Sequence, residues 1–545
     1  MEMTKKMKMA AVGAAAVAVV GGGVFAYTRL AGGDPKETVI QAFENVYTEG
    51  QTDPMEELFG LSEFAKAGVS ASQNSGLMLK LDSCSEPAVN TYAGSGLRID
   101  AKNDVENNKV SANMGIIYNG MDLVNLDLYY GDDTVMAAVP ELSPKVFTLD
   151  FGEGLEERLK NSPMLGSALE QSGVDASVMA EYMELLAEQA RQTQEGQAAS
   201  FDLKALMKRY REGCKAEDDF KAALTVEKGE KASFTIDGKE QACRGYEVTV
   251  SKEAMINFLR TSSDFFLQDE VLKKDFLKRL ELSVKLSQLA GAQMEGQDFP
   301  TAQEMQEQTY EEARTEIDGM IAFLDSSLND VSMTVYVDKE GCLASVKGTT
   351  SFNSTGSEAE PVQLQFGCEL KGGAYPTQNM SAQAVLENGA ASVQIEAVKE
   401  GAYDGKELTS GFELSIENQG EIAEKWDITL DSSYNSEGGG FDVQAAAAQD
   451  GMELLGFSAQ GVVDELEKGK NIHLTLDSLD VSAMGDTGNA VLSGEYYIRP
   501  LTEEVVPLEG DTMDVLAAGE EEWNSALMEV LFSFISLSGQ MDTGN

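Results

Sequence analysis

Apolar side chains keep two different rhythms along this chain, and the places where one gives way to the other outline its architecture. From about residue 75 the period is two: LMLKL, GLRID, VSANMGIIYNG, LVNLDLYYGDD and TVMAAV predict successive strands. NDVENN and YNGMD supply the turns between them, and Asn119-Gly120 is a strong hairpin signal. Residues 153–223 change to helical spacing, with Val178, Tyr182, Leu185 and Leu186 on one apolar stripe. A hairpin is predicted over residues 231–250 around Asp237-Gly238, after which Ser251 caps a helix running through Met255 and Leu259. Two longer helices follow. The first turns Val271, Leu272, Phe276, Leu280 and Val284 inward; the second opens on a Thr301/Glu304 capping box and buries Met305, Ala313, Ile317, Met320 and Leu324.

Beyond residue 330 the alternation is almost unbroken, and nine or ten strands are predicted. Val335 and Val337 share one face, as do Val362, Leu364 and Phe366; Val393, Ile395 and Ala397; Phe412, Leu414 and Ile416; and Trp426, Ile428 and Leu430. Such alternation implies antiparallel strands with one wet face and one buried face. Val362, Leu364, Phe366, Trp426 and Ile428 are therefore the candidate apolar-face residues. About fifteen one-sided strands cannot stay flat, so the sheet must twist, and its apolar side needs covering by the amphipathic helices. The fold class read here is α+β: a large, strongly curved, half-barrel-like antiparallel sheet packed on helices and preceded by an N-terminal transmembrane helix. The segments are 1–33 (anchor), 34–330 (helix, meander and helical cover) and 331–545 (meander and C-terminal helix), the last two sharing one sheet. The closing EEWNSALMEVLFSFISLSGQM places Trp523, Leu527, Val530, Leu531 and Phe534 at helical spacing. Docking on the chain's own sheet is the expected use of that stripe, and a surface helix for a membrane or partner is the alternative.

The stretch MKMAAVGAAAVAVVGGGVFAYTRLAGG, residues 7–33, decides location. Lys5, Lys6 and Lys8 precede an uncharged run from Met9 to Thr28, roughly long enough to cross a bilayer core. Lysines before it and acids behind it place the bulk of the chain outside the cytoplasm. We read an uncleaved anchor in the cell membrane; secretion after cleavage near Val24-Phe25-Ala26 is the alternative.

Charge excludes more than it identifies. The 545 residues carry 41 basic and 92 acidic side chains, a formal net charge of −51, which repels phosphate backbones and removes nucleic acid as a partner. Five cysteines form no zinc spacing, and the single His473 cannot complete a usual His/Cys site. Cys342 falls on one face with Ala344 and Val346, and Cys368 with Phe366 and Leu370; a Cys342–Cys368 disulfide between neighbouring strands is one reading and two buried thiols the other. His473, alternating with Ile472 and Leu474, faces the polar side. Gly94-Ser95-Gly96 lacks the helix a phosphate loop needs, and no GxSxG, Walker A, HExxH or complete EF-hand loop occurs. No catalytic, cofactor-binding or metal-ligating residue is singled out, and the chain is not read as an enzyme.

DPKETVIQAFENV, a capped helix, is followed by GLRIDAK, VSANMGIIYNGMDL and LYYGDDTVMAAVPEL, then helices, then the hairpin VSMTVYVDKEGCLASVKGTTSF. Over residues 34–375 this order resembles the LppX/LprG/LolA group of extracytoplasmic lipoprotein-like carriers, and uncharacterised membrane-anchored proteins of Gram-positive bacteria. This chain differs in lacking a lipid-attachment cysteine after the apolar run and in its extended C-terminal sheet. The resemblance implies a curved sheet around helices with an apolar cavity, and a lipid or other apolar ligand. The function expected is a membrane-anchored extracytoplasmic binding protein; the alternative is a structural or interaction protein of the cell envelope with a protein partner.

Overall fold

Strand follows strand because the period-two stretches are separated by turns that only certain residues can make. Asn119 and Gly120 (φ 50° and 78°) and Asp237 and Gly238 (φ 52° and 69°) hold the paired left-handed conformation of a tight hairpin. The computed structural model describes residues 34–47, 54–172, 175–194, 203–291, 300–353, 361–389, 391–420, 423–483 and 488–542. The N-terminal strands are β1 (Gln73–Cys84), β2 (Gly96–Asp104), β3 (Lys109–Tyr118), β4 (Met121–Gly131), β5 (Thr134–Ala138) and β6 (Lys145–Asp150). A helical section then leads to β7 (Thr225–Ile236) and β8 (Lys239–Val250). Further helices precede β9 (Val331–Val337), β10 (Leu343–Phe352), β11 (Val362–Gly372), β12 (Asn379–Asn388), β13 (Ala391–Tyr403) and β14 (Glu407–Gln419). The run continues through β15 (Glu424–Asn435), β16 (Gly440–Gln449), β17 (Met452–Glu467), β18 (Asn471–Ala483) and β19 (Gly488–Pro500), and β20 (Asp511–Asp514) closes the set.

All twenty join one sheet. Pairing runs from β7 and β8 through β9 and onward in chain order to β19, passes to β1, and continues in order to β6 and β20. Every pairing is antiparallel except β6 with β20. The seam between the two meanders is the β19–β1 pair, where Leu77 faces Tyr496 and Leu81 faces Leu492. Gly494 is required there: a Cβ at this position would lie 2.0 Å from the Met78 carbonyl oxygen. The sheet is open, with β7 and β20 at its two edges among the described residues.

Helices cover the two flanks of the sheet. On the β8–β12 flank, Val39 and Phe43 from helix Pro35–Tyr47, Phe220 from helix Ala216–Ala223 and Met255 from helix Lys252–Gln268 pack on Val248, Met333, Val335, Val362 and Leu364. Asp34 Oδ1 accepts from Lys36 N at the first of these, and Ser251 caps the third by accepting from Ala254 N. Buried Glu44 receives Lys221 Nζ at 3.1 Å, tying the first helix to helix Ala216–Ala223. On the opposite flank, Leu155 and Leu159 from helix Leu155–Asn161 pack with Ala176, Ala180 and Leu516, while Val505 closes over Tyr129, Met136 and Val146.

Several expectations change. The N-terminal meander has six strands rather than five, and eleven strands fill residues 331–500 rather than nine or ten. Thr301 and Glu304 do form their capping box, but Met320 turns outward, because Ile321 and Leu324 are the residues that meet helix Lys252–Gln268; Val271, on helix Glu270–Gly291, is exposed as well. Helices Pro54–Phe59 and Leu61–Ser70 were not legible; the first inserts Leu58 against Leu408, Tyr434 and Val463. Among the described residues no helix is long and apolar enough to cross a membrane, and the anchor expected over residues 1–33 lies outside them.

Candidate ligand-binding face

The register puts one row of apolar side chains on the same side of strand after strand. Leu364 faces Leu386, which faces Val393; Ile395 faces Ile416, which faces Trp426. Ile428 stands opposite Ala447, Ala447 opposite Leu455, and Phe457 opposite Val481. A bulge in β18 keeps both Leu476 and Leu479 on this side, opposite Gly494 and Leu492. Across the seam, Tyr496 meets Leu77, Leu77 meets Ile99, and Ile99 meets Met114. The row therefore runs through both meanders without changing face.

Its two ends and its middle are in different surroundings. Val362 and Leu364 are buried, and Phe366 packs against them, beneath the helices of the β8–β12 flank. At the far end Phe147 stacks on Trp523 of helix Glu520–Asp542, ring centroids 6.0 Å apart, with Met513 and Ala526 buried beside them. Between these caps Trp426, Ile428, Leu430, Leu455, Phe457, Val481, Tyr496, Leu77, Leu97, Ile99, Met114 and Ile116 are 37–60% exposed. Of the five residues chosen from the sequence, three thus belong to a packed core, and Trp426 and Ile428 to this open stretch. Leu97, Ile99, Met114, Ile116, Leu455 and Phe457 were not singled out, although the alternation in GLRID, NMGII and MELLGF contains them; what was missing was the seam that aligns the two meanders.

Over β17–β19 and β1–β3 the opposite face is polar and self-paired, whereas over β4–β6 Val505 covers it at Tyr129, Met136 and Val146. Tyr497 Oη donates to Asp100 Oδ1 at 2.6 Å, and burial, aided by that carboxylate, pushes its hydroxyl up to about 12. Arg98 bridges Asp100 (3.2 Å) and Asp122 (3.0 Å), and Arg499 lies 4.8 Å from the Tyr497 ring centroid. His473 sits between Asp464 (Nδ1, 3.4 Å) and Glu495 (Nε2, 3.6 Å) on this side, as its alternation requires. These are cross-strand ladders in which Arg98 and His473 meet carboxylates and Arg499 meets the Tyr497 ring.

Clefts on this polar side are open. One of about 690 Å³ lies where the β7–β8 tip folds onto β11 and β12, held by Gly373 N donating to Asp237 Oδ1 at 2.8 Å. Its charges pair internally: Lys347 with Glu369 at 2.9 Å and Lys371 with Glu400 at 3.8 Å. A second, of about 730 Å³, is lined by Gln363, Glu387, Ser392 and Gln419. Neither is the apolar chamber implied by the carrier resemblance. Among the described residues no group of three His, Cys, Asp or Glu side chains is placed to hold a metal ion.

The Cys342–Cys368 bond is not formed, and all five thiols are free. Cys368 stands opposite Val346, four residues along the chain from Cys342, which lies instead in an Asp338 turn, where Asp338 Oδ1 accepts its N–H. Two Cα atoms so separated are beyond disulfide reach. Burial raises the Cys368 thiol above its ordinary value. No protein family, curated protein or solved structure matches the chain.

Proposed function

We propose that the chain is a membrane-attached, extracytoplasmic binding protein that holds lipid acyl chains, or another apolar ligand, against the open stretch of its sheet. The observation that carries this reading is the row of large apolar side chains from Trp426 to Ile116 left in water between two helix-covered flanks, beside the patch that helix Pro54–Phe59 covers at Leu408, Tyr434 and Val463. It crosses eight strands, about 34 Å at roughly 4.8 Å per interstrand spacing. Water contact costs about 25 cal/mol for each Å² of such surface, and contiguous patches beyond a few hundred Å² mark binding sites. The face also has relief: Ala445 and Ala447 of β16 lie between the Trp426–Ile428–Leu430 ridge and the Leu455–Phe457 ridge. The carrier idea therefore takes the form of an open apolar face. Residues 7–33 attach the chain to the cell membrane with its bulk outside, or direct its secretion if cleaved. No cofactor, catalytic step or nucleic acid enters this role.

Openness itself favours a second reading, an envelope interaction protein whose partner covers the same face, since an interface needs about 800 Å² per side. Native mass spectrometry of the full chain, extracted from membranes in a mild detergent, separates the two. Bound lipid that Phe457→Asp and Leu97→Asp release supports the first reading. A lipid-free chain that photo-crosslinks from Phe457 and Leu97 to one defined envelope protein overturns it in favour of the second.

A further inference from the structure

Helix Glu520–Asp542 is seated by only one side of its first turns. Trp523 stacks on Phe147, Ala526 is buried, and Glu529 accepts a hydrogen bond from Ser143 Oγ at 3.2 Å. At 100° per residue, Leu527, Met528, Leu531, Phe532 and Phe534 share an arc of about 160° that turns away from this seat. All five are 48–62% exposed. The docking expected for Leu527, Leu531 and Phe534 is therefore not what these residues do. We propose that this arc is a membrane-docking surface, inserting shallowly into an uncharged, zwitterionic bilayer.

Charge selects that occupant. From Leu527 to Leu537 the one ionisable residue is Glu529, and it is turned toward Ser143, so the arc offers nothing for a basic partner to recognise. A second copy would bring together two chains of formal charge −51, and an anionic lipid surface would be repelled in the same way. A zwitterionic surface has no net charge to oppose the approach, and two phenylalanines with two leucines and a methionine over two to three turns suit insertion at the depth of the acyl boundary. Continuity points the same way: the seat of the helix, Phe147 and Met513, is the end of the sheet's apolar row, so docking would bring that end to the lipid. The inference stands whether or not the sheet itself holds lipid.

The test uses the full chain in phosphatidylcholine vesicles whose acyl chains carry bromine, a short-range quencher of tryptophan. Phe534→Trp is placed in a Trp426→Phe, Trp523→Phe background; Trp523 Nε1 has no hydrogen-bond partner to lose, and phenylalanine keeps the stack on Phe147. Because residues 7–33 also hold the chain near lipid, Glu316→Trp, at an exposed position in the same background, serves as the proximity control. Emission from the Phe534→Trp chain is expected to fall by about half on bromination, with that from Glu316→Trp unchanged. Adding Leu531→Asp to Phe534→Trp is expected to restore the emission while circular dichroism stays that of the parent. Equal emission from the Phe534→Trp chain in brominated and plain vesicles overturns the proposal. So does a lipid-free dimer in sedimentation that Leu531→Asp dissolves, which would assign the arc to a second copy. Lipid retention on the sheet is read separately by native mass spectrometry, so either idea can fail without the other.

Discussion

Leu364 and Leu97 offer a sharp test, because they are the same residue type on the same face of the same sheet and differ in cover. Leu364 is 1% exposed beneath the helices, among Val335, Val362 and Leu328. Its truncation to alanine removes buried methyl groups and leaves a void that two packed layers cannot close, costing about 3 kcal/mol. Leu97 is 60% exposed and touches the row mainly through Leu79 and Ile116. With two fifths of its surface buried, against about 1.5–3 kcal/mol for a fully buried leucine, Leu97→Ala costs about 1 kcal/mol or less. The order reverses for ligand: Leu97→Ala removes contact area from the open stretch, whereas Leu364→Ala touches nothing a ligand can reach. Urea unfolding of the two variants beside wild type, with lipid content measured on the same preparations, reads both quantities. A Leu97→Ala midpoint as low as that of Leu364→Ala would mean that the stretch is packed in the native chain, and the open-face argument would fail.

Three further outcomes follow from the geometry. Gly494→Ala forces a Cβ against the Met78 carbonyl oxygen at the seam, so it should lower stability by about 1–3 kcal/mol and speed amide exchange in β1 and β19 ahead of β13 and β14. Asp269 accepts two bonds from Arg209, both 2.9 Å, and one from Leu272 N, and these hold its carboxyl below the ordinary range. A depressed folded-state value contributes stability above the unfolded value of about 3.9 and loses it as pH falls below. Asp269→Asn should therefore be less stable than wild type by about 1–2 kcal/mol at neutral pH, Arg209 being partly solvated, with the gap closing below about pH 4; a gap that persists in acid would refute the assignment. Alkylation of the denatured, unreduced chain should label all five cysteines, and in the native chain the fully buried Cys243 should be the slowest of them; a product two thiols short would restore a disulfide.

Local chemistry was legible wherever it is written in neighbouring residues. Asp237-Gly238, Asn119-Gly120, Ser251 and the Thr301/Glu304 box all act as their types require, since each depends on bonds a few residues long. The apolar rows were legible too, because alternation needs no partner. What the alternation lacks is an address. Nothing in LMLKL or AVLSGEYYI says that β1 takes β19 as a neighbour more than four hundred residues away, and that pairing turns two meanders into one face. The cysteine reading failed for a related reason: alternation can put Cys342 and Cys368 on one face but cannot set their register, and Cys368 pairs opposite Val346 while Cys342 stays in the Asp338 turn. The C-terminal helix misled differently: an apolar stripe announces what wants to leave water, and not what it meets.

That last distinction gives the acidic charge a physical place. A sheet with a long row of half-exposed leucines, isoleucines and aromatics is one on which copies of the same chain could stack, and an open sheet adds two edges that could pair. The edges are individually blunted. β7 carries Lys228, Glu230 and Lys231 around a register shift, and β20 is four residues long and pairs with β6 in parallel. The face cannot be blunted in that way without losing its apolar character, since a lysine or glutamate in the row would remove the surface that the proposed ligand needs. Repulsion between whole molecules remains as a device: a formal charge of −51 set on the other face, the turns and the helices opposes self-association while leaving the row untouched. Raised salt screens that repulsion over a Debye length of about 3 Å at 1 M, against about 8 Å at physiological strength. The ligand-free chain should therefore associate as salt rises, and Phe457→Asp and Leu97→Asp, which interrupt the row, should suppress that association more than an equal added charge on the polar face does.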